Sequence, residues 1–151
     1  LYTTKFNDVP EVEEDVCIPF GRARIVAEGA DITVVTNSMM TIKAEKAVRQ
    51  LQKEGISAEL IDLRTIVPLD TETIIRSVKK TGKLLIVDEG HLSFGITGEI
   101  ASRIMPDVFY DLDAPIQRMG TADVPLPFSP ALEFPLIPDE KKIAAKIREM
   151  V

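Results

Sequence analysis

The stretch from Lys83 to Met105 constrains the fold of this chain more than any other. It opens with an apolar run, Leu84–Val87, short and β-branched enough to be a buried strand. A loop containing glycines follows, and after Gly95 isoleucines recur every four residues, as on one face of a helix. A strand, a loop and a helix in this order predict one unit of an open α/β sheet, where ligands and partners usually bind beyond the carboxyl ends of the strands.

The composition is that of an ordinary globular domain. The 151 residues are 45% hydrophobic and 28% charged, which predicts one domain with a continuous core. The net charge of −6 argues against general nucleic-acid binding, because neutralising phosphates requires a basic surface. It suits a basic protein partner, but acidity for solubility alone is commoner. No apolar run approaches the roughly 20 residues that span a bilayer, and no signal-peptide pattern is visible.

The first part of the chain divides into a linker and a hairpin. Residues 1–19 have little periodicity, carry four acids between Glu11 and Asp15, and contain two prolines, so we interpret them as a linker, and residues 20–151 as the domain. The chain starts without a methionine, which suggests a fragment of a longer polypeptide. Residues 21–29 predict an edge strand that pairs in a hairpin with a buried strand at residues 32–36.

Helices and strands alternate from there on. This alternation predicts a mostly parallel sheet, covered by helices on both faces and joined by right-handed crossovers. Capping residues mark the helix starts. The predicted elements are a helix from Asn37-Ser38 to about Glu54, a strand over 57–63, a helix capped by Asp70 or Thr71 and ended by Gly82, the strand and helix of the opening stretch, a strand over 115–119, and a final helix capped by Asp139.

One segment, residues 120–138, is irregular. It contains five of the ten prolines, and proline at this density opposes both helix and central strand. We therefore predict an extended segment wrapped on the surface, and long irregular segments of this kind often form interfaces. Its apolar anchors are predicted to be Phe128, Leu132, Phe134 and Ile137.

No catalytic set emerges from the residues themselves. His91 lies near Asp88, Glu89 and Glu99, but one histidine with carboxylates matches no zinc-ligand spacing. General acid–base work by His91 is conceivable from its loop position, and a solvated or interface histidine is the commoner case. The single cysteine, Cys17, excludes an internal disulfide and has no basic neighbour to activate it. No dinucleotide or phosphate-loop fingerprint is present.

Several stretches of the sequence resemble one family. They are Gly55 to Ile74 with its Asp-Leu-Arg-Thr-x-x-Pro-Leu-Asp segment, Lys79 to Lys83, Glu89 with Gly95 to Glu99, Val9-Pro10 to Gly21, and Asp113 to Arg118 with Ala122 to Glu133 and Ile137 to Asp139. Together they resemble the carboxyl-terminal domain of transketolase-like enzymes. The similarity is greatest to the beta subunit of the thiamine-diphosphate-dependent first component of 2-oxo acid dehydrogenases of the pyruvate, branched-chain and acetoin types.

The resemblance implies a three-layer domain with a five-stranded, mostly parallel sheet and one antiparallel edge strand. It implies thiamine diphosphate and magnesium in the intact enzyme, held between the alpha subunit and an amino-terminal domain outside this chain, with nothing bound by this chain itself. It also implies a role in assembly with the alpha subunit and a second beta subunit. The expected compartment is the cytoplasm, or the mitochondrial matrix in a eukaryote.

A docking site for the acyltransferase core is implied as well. Its peripheral subunit-binding domain is typically basic, so acids near the end of the chain are expected contacts. The candidate partner-binding residues are Glu89, His91, Asp139, Glu140, Glu149 and Val151. His91 departs from the family pattern, which weakens a family-wide role for it. No catalytic, cofactor or metal ligands are predicted. A free-standing assembly or regulatory module of the same fold and a transketolase-type fragment remain open.

Overall fold

The computed structural model describes residues 17–151. The predicted linker over residues 1–19 lies almost entirely outside the described residues, and residues 17–19 belong to no helix or strand. The strands are β1 Arg24–Ala27, β2 Ile32–Thr36, β3 Ala58–Asp62, β4 Leu84–His91 and β5 Gln117–Thr121. The helices are α1 Ser38–Gln52, α2 Thr71–Thr81, α3 Ile96–Val108, the one-turn α4 Pro130–Glu133 and α5 Glu140–Met150, with 3-10 turns at Phe109–Asp111 and Phe134–Leu136.

The five strands form one mixed sheet in the order β1-β3-β2-β4-β5. β2, β3, β4 and β5 are parallel, and β1 runs antiparallel along β3 at one edge. Helices α1 and α5 cover one face, and α2 and α3 cover the other. Successive strand residues face opposite cores; for example, Val34 packs under α1 and Val35 packs under α2. This architecture confirms the predicted fold class.

The predicted hairpin between β1 and β2 is wrong. β3 is inserted between these two strands, and β1 pairs with β3 instead. The connection between them crosses the start of β3, where the N–H groups of Ala30 and Asp31 both donate to the carbonyl of Ser57 at 2.9 Å. A Cβ atom at Gly29 would lie 2.2 Å from the backbone of residues 58–59, so only glycine permits this close crossing. A short turn between two strands predicts a hairpin only when no third strand separates them.

The proline-rich segment is less extended than predicted. It forms a turn of helix at α4, which begins at Pro130, and a 3-10 turn after it, because proline is tolerated in the first turn of a helix. Of the four predicted anchors, only Ile137 packs against the core. Phe128, Leu132 and Phe134 are exposed, so that part of the prediction is wrong.

The segment from Asp62 to Asp70 forms hydrogen bonds with the first residues of the domain. It also carries the most specific part of the family resemblance. Its Thr65 hydroxyl accepts from the N–H of Gly21 at 2.9 Å, and the carboxylate of Asp70 accepts from the N–H of Ala23 at 2.9 Å. Asp70 also caps α2 by accepting from the N–H of Thr73. Although burial raises the pKa of Asp70, the N–H groups of Ala23 and Thr73 outweigh it and lower the pKa overall. These hydrogen bonds therefore connect the segment after β3 to the residues before β1 and to the start of α2.

The stretch from Lys83 to Met105 forms the predicted strand, loop and helix. Its strand is an interior one, between β2 and β5, and continues four residues further than Val87. This extension includes a bulge, after which His91 pairs with Thr121. In α3, Ile100 and Ile104 are buried, as the spacing predicts.

Candidate functional site

The two ends of the sheet differ in what they expose. We call the end where β2 to β5 terminate the carboxyl edge, and the end where they begin the amino edge. β1 starts at the carboxyl edge, since Arg24 lies opposite Asp62 at the end of β3. Loops beyond the carboxyl ends of parallel strands are where α/β proteins usually bind ligands and partners.

Most of the large apolar side chains left exposed by the described residues lie at the carboxyl edge. They come from the residues before β1 and from the connections after β3, β4 and β5. The connection from β5 to α5 ends at the carboxyl edge, because Lys43 near the start of α1 donates to the carbonyl of Pro138 at 2.9 Å. The set is Ile18, Phe20, Ile66, Val67, Phe94, Val124, Leu126, Phe128, Leu132 and Phe134. Single exposed apolar residues are common, but a group of this size indicates a contact surface.

The loop after β4 is held firmly although it is exposed. The Nδ1–H of His91 donates to the carbonyl of Ala122 at 2.9 Å, since a carbonyl can only accept. The carboxylate of Asp123 accepts from the N–H of Ser93 at 3.1 Å and from its hydroxyl at 2.5 Å. These two bonds from Ser93 lower the pKa of Asp123. The loop therefore presents Phe94, which is fully exposed, from a fixed backbone.

Glu89 and His91 both lie at the carboxyl edge, as predicted from the strand–loop–helix pattern. The side chain of Glu89 is exposed, and its carbonyl accepts from the hydroxyl of Thr121 at 2.7 Å. The carboxylate that organises the loop belongs to Asp123, which the sequence analysis did not single out. Its position just after a strand and two residues before Pro125 was the available signal.

The four remaining candidates are divided between the two edges by α5. Asp139 caps the helix at the carboxyl edge, where its carboxylate accepts from the N–H of Lys142 at 2.8 Å, and Glu140 follows it. Glu149 and Val151 lie at the amino edge, where Val151 and the starts of β2 and β4 border the same cavity. A helix of this length separates the two pairs by about 15 Å. The six candidates therefore do not form one surface.

The cavity beside Val151 contains carboxylates that the sequence analysis missed. Its volume is about 530 Å³, and its charged lining residues are Asp31, Lys83 and Asp113. Asp113 is fixed by its own N–H, which donates to the carbonyl of Gly82 at 2.8 Å. Gly82 adopts φ +68°, and a Cβ there would lie 2.2 Å from the Asp113 carboxylate. Asp31 and Asp113 thus place two carboxylates at the amino edge beside Val151.

Behind the amino edge lies a connected polar network. Glu59, only 1% exposed, accepts from Lys80 and Ser77 of α2 and from the N–H of Gly29 at 3.4 Å. Thr33 continues the network to Ser77 and to Thr81, both at 2.7 Å. Burial raises the pKa of Glu59, but its hydrogen-bond donors outweigh burial and lower the pKa overall. Contact with Glu59 in turn raises the pKa of Lys80.

Neither a metal-binding cluster nor a membrane-spanning helix occurs among residues 17–151. No group of three or more His, Cys, Asp or Glu side chains in this part of the chain could hold a metal ion. No helix within it is long and apolar enough to cross a membrane. Glu99, close to His91 in sequence, pairs with Arg103 instead at 2.6 Å.

The fold and the sequence agree on a family. The profile of the transketolase C-terminal domain matches residues 21–143, and the chain belongs to that family. A solved split-gene transketolase, described as an inactive beta4 tetramer, superposes with a TM-score of 0.75 at 28% identity, covering 94% of this chain and 45% of the other.

Two curated relatives are beta subunits of 2-oxo acid dehydrogenases, as the resemblance implied. The beta subunit of the pyruvate dehydrogenase E1 component from Rickettsia felis is 47% identical over 150 residues, which are 99% of this chain and 45% of the relative. The beta subunit of 2-oxoisovalerate dehydrogenase from Bacillus subtilis is 41% identical over 91% of this chain and 42% of its own length. The chain therefore spans slightly less than half the length of these relatives.

Proposed function

We propose that this chain is the assembly domain of a 2-oxo acid dehydrogenase beta subunit. The observation that carries the proposal is the group of exposed apolar side chains at the carboxyl edge. A domain that leaves so much apolar surface at one end is stabilised by covering it, and rigid loops such as the one around Phe94 lose little entropy on binding. The intact enzyme would decarboxylate a 2-oxo acid on thiamine diphosphate and transfer the acyl group to a lipoyl group.

Residues 17–151 offer a poor ligand set for thiamine diphosphate and magnesium. The cleft at the start of α1 measures about 490 Å³, and its charged lining residues are Asp62 and Arg64. The carboxylate of Asp62 already accepts from the N–H of Arg64 at 3.1 Å. A magnesium ion prefers several oxygen ligands besides the phosphates, and one engaged carboxylate is a poor set. We therefore place the cofactor outside this chain, and propose no catalytic step for these residues.

The assembly proposal is tested with exposed residues of the proline-rich segment. Phe128→Ser combined with Leu132→Ser in the complete beta polypeptide is expected to reduce capture of the alpha subunit on co-expression by at least about tenfold, because both apolar contacts are lost. Tyr110→Ser, an equally exposed aromatic at the amino edge, is the matched control and should leave capture unchanged. Equal capture by both variants would contradict the proposal.

For the acyltransferase core we propose the amino edge as the docking surface. The support is the carboxylates of Asp31 and Asp113 beside Val151, with Glu149 on the last turn of α5. A basic domain would be attracted to them mainly through a faster association rate. Asp139 and Glu140 lie at the other edge, so we exclude them from this surface.

A pair of neutralising variants tests the docking surface. Asp113→Asn should weaken binding of the basic peripheral subunit-binding domain by about tenfold at low salt, and the difference should shrink as salt is added. Glu140→Gln removes the same charge at the other edge and should have no effect. The reverse ranking, measured by calorimetry, would assign docking to the carboxyl edge.

A free-standing module of the same fold is the second candidate. It is favoured by the two hydrophobic cores, which the described residues form among themselves. Reading the coding sequence upstream of Leu1 separates the two proposals. A pyrimidine-binding domain there supports the dehydrogenase subunit, and a nearby start codon supports the free-standing module.

A further inference from the structure

The cleft at the start of α1 contains polar groups that the fold leaves without partners. It lies at the carboxyl edge, between the end of β3 and the first turn of α1, and measures about 490 Å³. This volume is within the range of small-molecule binding sites. The lining includes Asn37, Asp62 and Arg64 together with the apolar side chains of Ile42 and Ile66. These five residues restrict the kind of molecule that the cleft can bind.

Asn37 contributes a hydrogen-bond acceptor that has no donor. The residue precedes α1 with φ −141° and ψ 163°, the extended backbone of a helix N-cap, but its side chain makes no capping bond. Its Oδ1 atom is one of two buried side-chain polar atoms within residues 17–151 that have no hydrogen-bond partner. Buried polar groups in proteins are almost always paired. An N–H group of a bound molecule would supply the missing donor.

Asp62 and Arg64 place opposite charges in the same cleft. The N–H of Arg64 donates to Oδ1 of Asp62 at 3.1 Å, and Oδ2 of Asp62 stays available. Neither the guanidinium of Arg64 nor that of Arg24, opposite Asp62 on β1, forms an ion pair within the described residues. Arg64 also adopts φ +55°, in the left-handed region, and such strained residues are commonest at functional sites.

The first turn of α1 adds positive charge to the cleft. It contains no acid, so the partial positive charge at the start of the helix is not neutralised there and favours an anionic group. The cleft therefore combines two acceptors, on Asn37 and Asp62, with positive charge from Arg64 and the helix. A phosphate or a 2-oxo acid offers no donor to Asn37 and is repelled by Asp62. A simple amine leaves Arg64 unpaired, whereas a zwitterion satisfies all of these groups.

We propose that this cleft binds a free α-amino acid with an apolar side chain. The ammonium group of the amino acid donates to Oδ1 of Asn37 and to the carboxylate of Asp62. Its carboxylate pairs with Arg64 and the start of α1. Its side chain packs against Ile42 and Ile66, and Ile66, 48% exposed, loses contact with water on binding. This small-molecule site goes beyond the proposed assembly function and does not depend on it.

The class of ligand is tested with L-leucine, titrated into the 151-residue chain by calorimetry. We expect a Kd on the order of 0.1 mM, because charged hydrogen bonds and one apolar contact are gained. The analogue 4-methyl-2-oxopentanoate replaces the ammonium group with a ketone, and 3-methylbutylamine lacks the carboxylate. Each should bind at least about tenfold more weakly than leucine. No binding of leucine up to about 10 mM, or equal binding of either analogue, overturns the proposal.

The location of the site is tested with two variants of the cleft. Asp62→Asn removes a charge but keeps an acceptor for the N–H of Arg64, and Arg64→Asn removes the cation with a residue that tolerates a positive φ. Each should raise the Kd for leucine by about tenfold, with circular dichroism and the melting temperature verifying the fold. Arg49→Gln, on an exposed part of α1, is the matched control and should bind leucine like the wild type. Folded cleft variants that also bind like the wild type overturn the proposal.

Amide chemical shifts give a second measure of the location, without any substitution. Leucine should shift the amide signals of Ser38, Thr41 and Arg64 and leave that of Asp113, at the amino edge, unchanged. Shifts confined to the amino edge would contradict the proposed site. Because leucine binding is measured on the chain alone, its failure leaves the result of alpha-subunit capture unaffected. Failure of the capture experiment likewise leaves the amino-acid site standing.

Discussion

The carboxyl edge and the amino edge of the sheet are built from the same strands but expose different kinds of side chain. At the carboxyl edge, apolar side chains such as Phe94 and Phe128 are exposed, while hydrogen bonds to the backbone fix the loops that carry them. At the amino edge, the buried Glu59 is satisfied by Lys80 and Ser77, and the surface outside it carries carboxylates. One edge exposes apolar side chains on ordered loops, and the other closes the core and presents charge.

This difference teaches that exposure and order are separate properties. A contact surface is most effective when its loops are ordered before binding, because less conformational entropy is then lost. Polar groups inside the domain, by contrast, are tolerated only when they are paired. Four measurements test this difference between the two edges.

The largest effect is expected at the amino edge, for Lys80→Ala. Removing the ammonium group leaves the buried carboxylate of Glu59 without its charged partner. Since the side chain of Lys80 is 43% exposed, water compensates in part, and we expect a loss of about 2 kcal/mol in the free energy of unfolding. Urea denaturation measures it. Lys46→Ala, on the exposed side of α1, is the control; a loss no larger than that of the control would show that the network does not stabilise the edge.

The pH dependence of stability should report the same network. The pKa of Glu59 is lower in the folded state than in the unfolded state, where it is about 4.3. The carboxylate therefore stabilises the fold fully above that value, and the contribution is lost as the pH falls through the lower folded pKa. The difference in unfolding free energy between wild type and Glu59→Gln should be constant near neutral pH and shrink below about pH 4. A difference that grows on acidification would contradict the assigned direction.

A smaller, local effect is expected at the carboxyl edge for Asp123→Ala. The variant removes both acceptors of Ser93 but leaves the core untouched. Hydrogen exchange of the Ser93 amide should become about tenfold faster, with the melting temperature unchanged within about 1 °C. Asp107→Ala, exposed on α3, serves as the control. Global destabilisation by Asp123→Ala would show that the two edges are not as distinct as described.

No effect at all is expected from the cofactor. Calorimetric titration of thiamine diphosphate and magnesium into the 151-residue chain should release no binding heat, because the cleft beside α1 offers a poor ligand set. Binding in the micromolar range would place part of the cofactor site at the carboxyl edge and break its interpretation as a contact surface without cofactor ligands.

Local pattern was enough to predict most of the elements. The isoleucines of α3, the cap at Asp70 and the glycine that ends α2 lie where the sequence indicates, because helix periodicity and capping depend on neighbouring residues. The buried runs of β2 and β4 likewise predict interior strands of a parallel sheet. The most specific part of the family resemblance is the segment from Asp62 to Asp70, in which Thr65 and Asp70 accept hydrogen bonds from residues 21 and 23.

Tertiary structure alone decided which strands are neighbours and which polar groups meet. β3 lies between β1 and β2 and pairs with both, and no short-range pattern contains a pairing between strands that are distant in sequence. Asp113 and Val151 are 38 residues apart in sequence and share a cavity. Glu140 and Glu149 belong to one helix, α5, and lie at opposite edges. Most of the elements and the caps at Asp70 and Asp139 follow from the sequence, because they depend on interactions within a few residues. Asn37, predicted to cap α1, makes no side-chain capping bond. The fold determined the two edges, because only chain crossings over long separations bring their residues together.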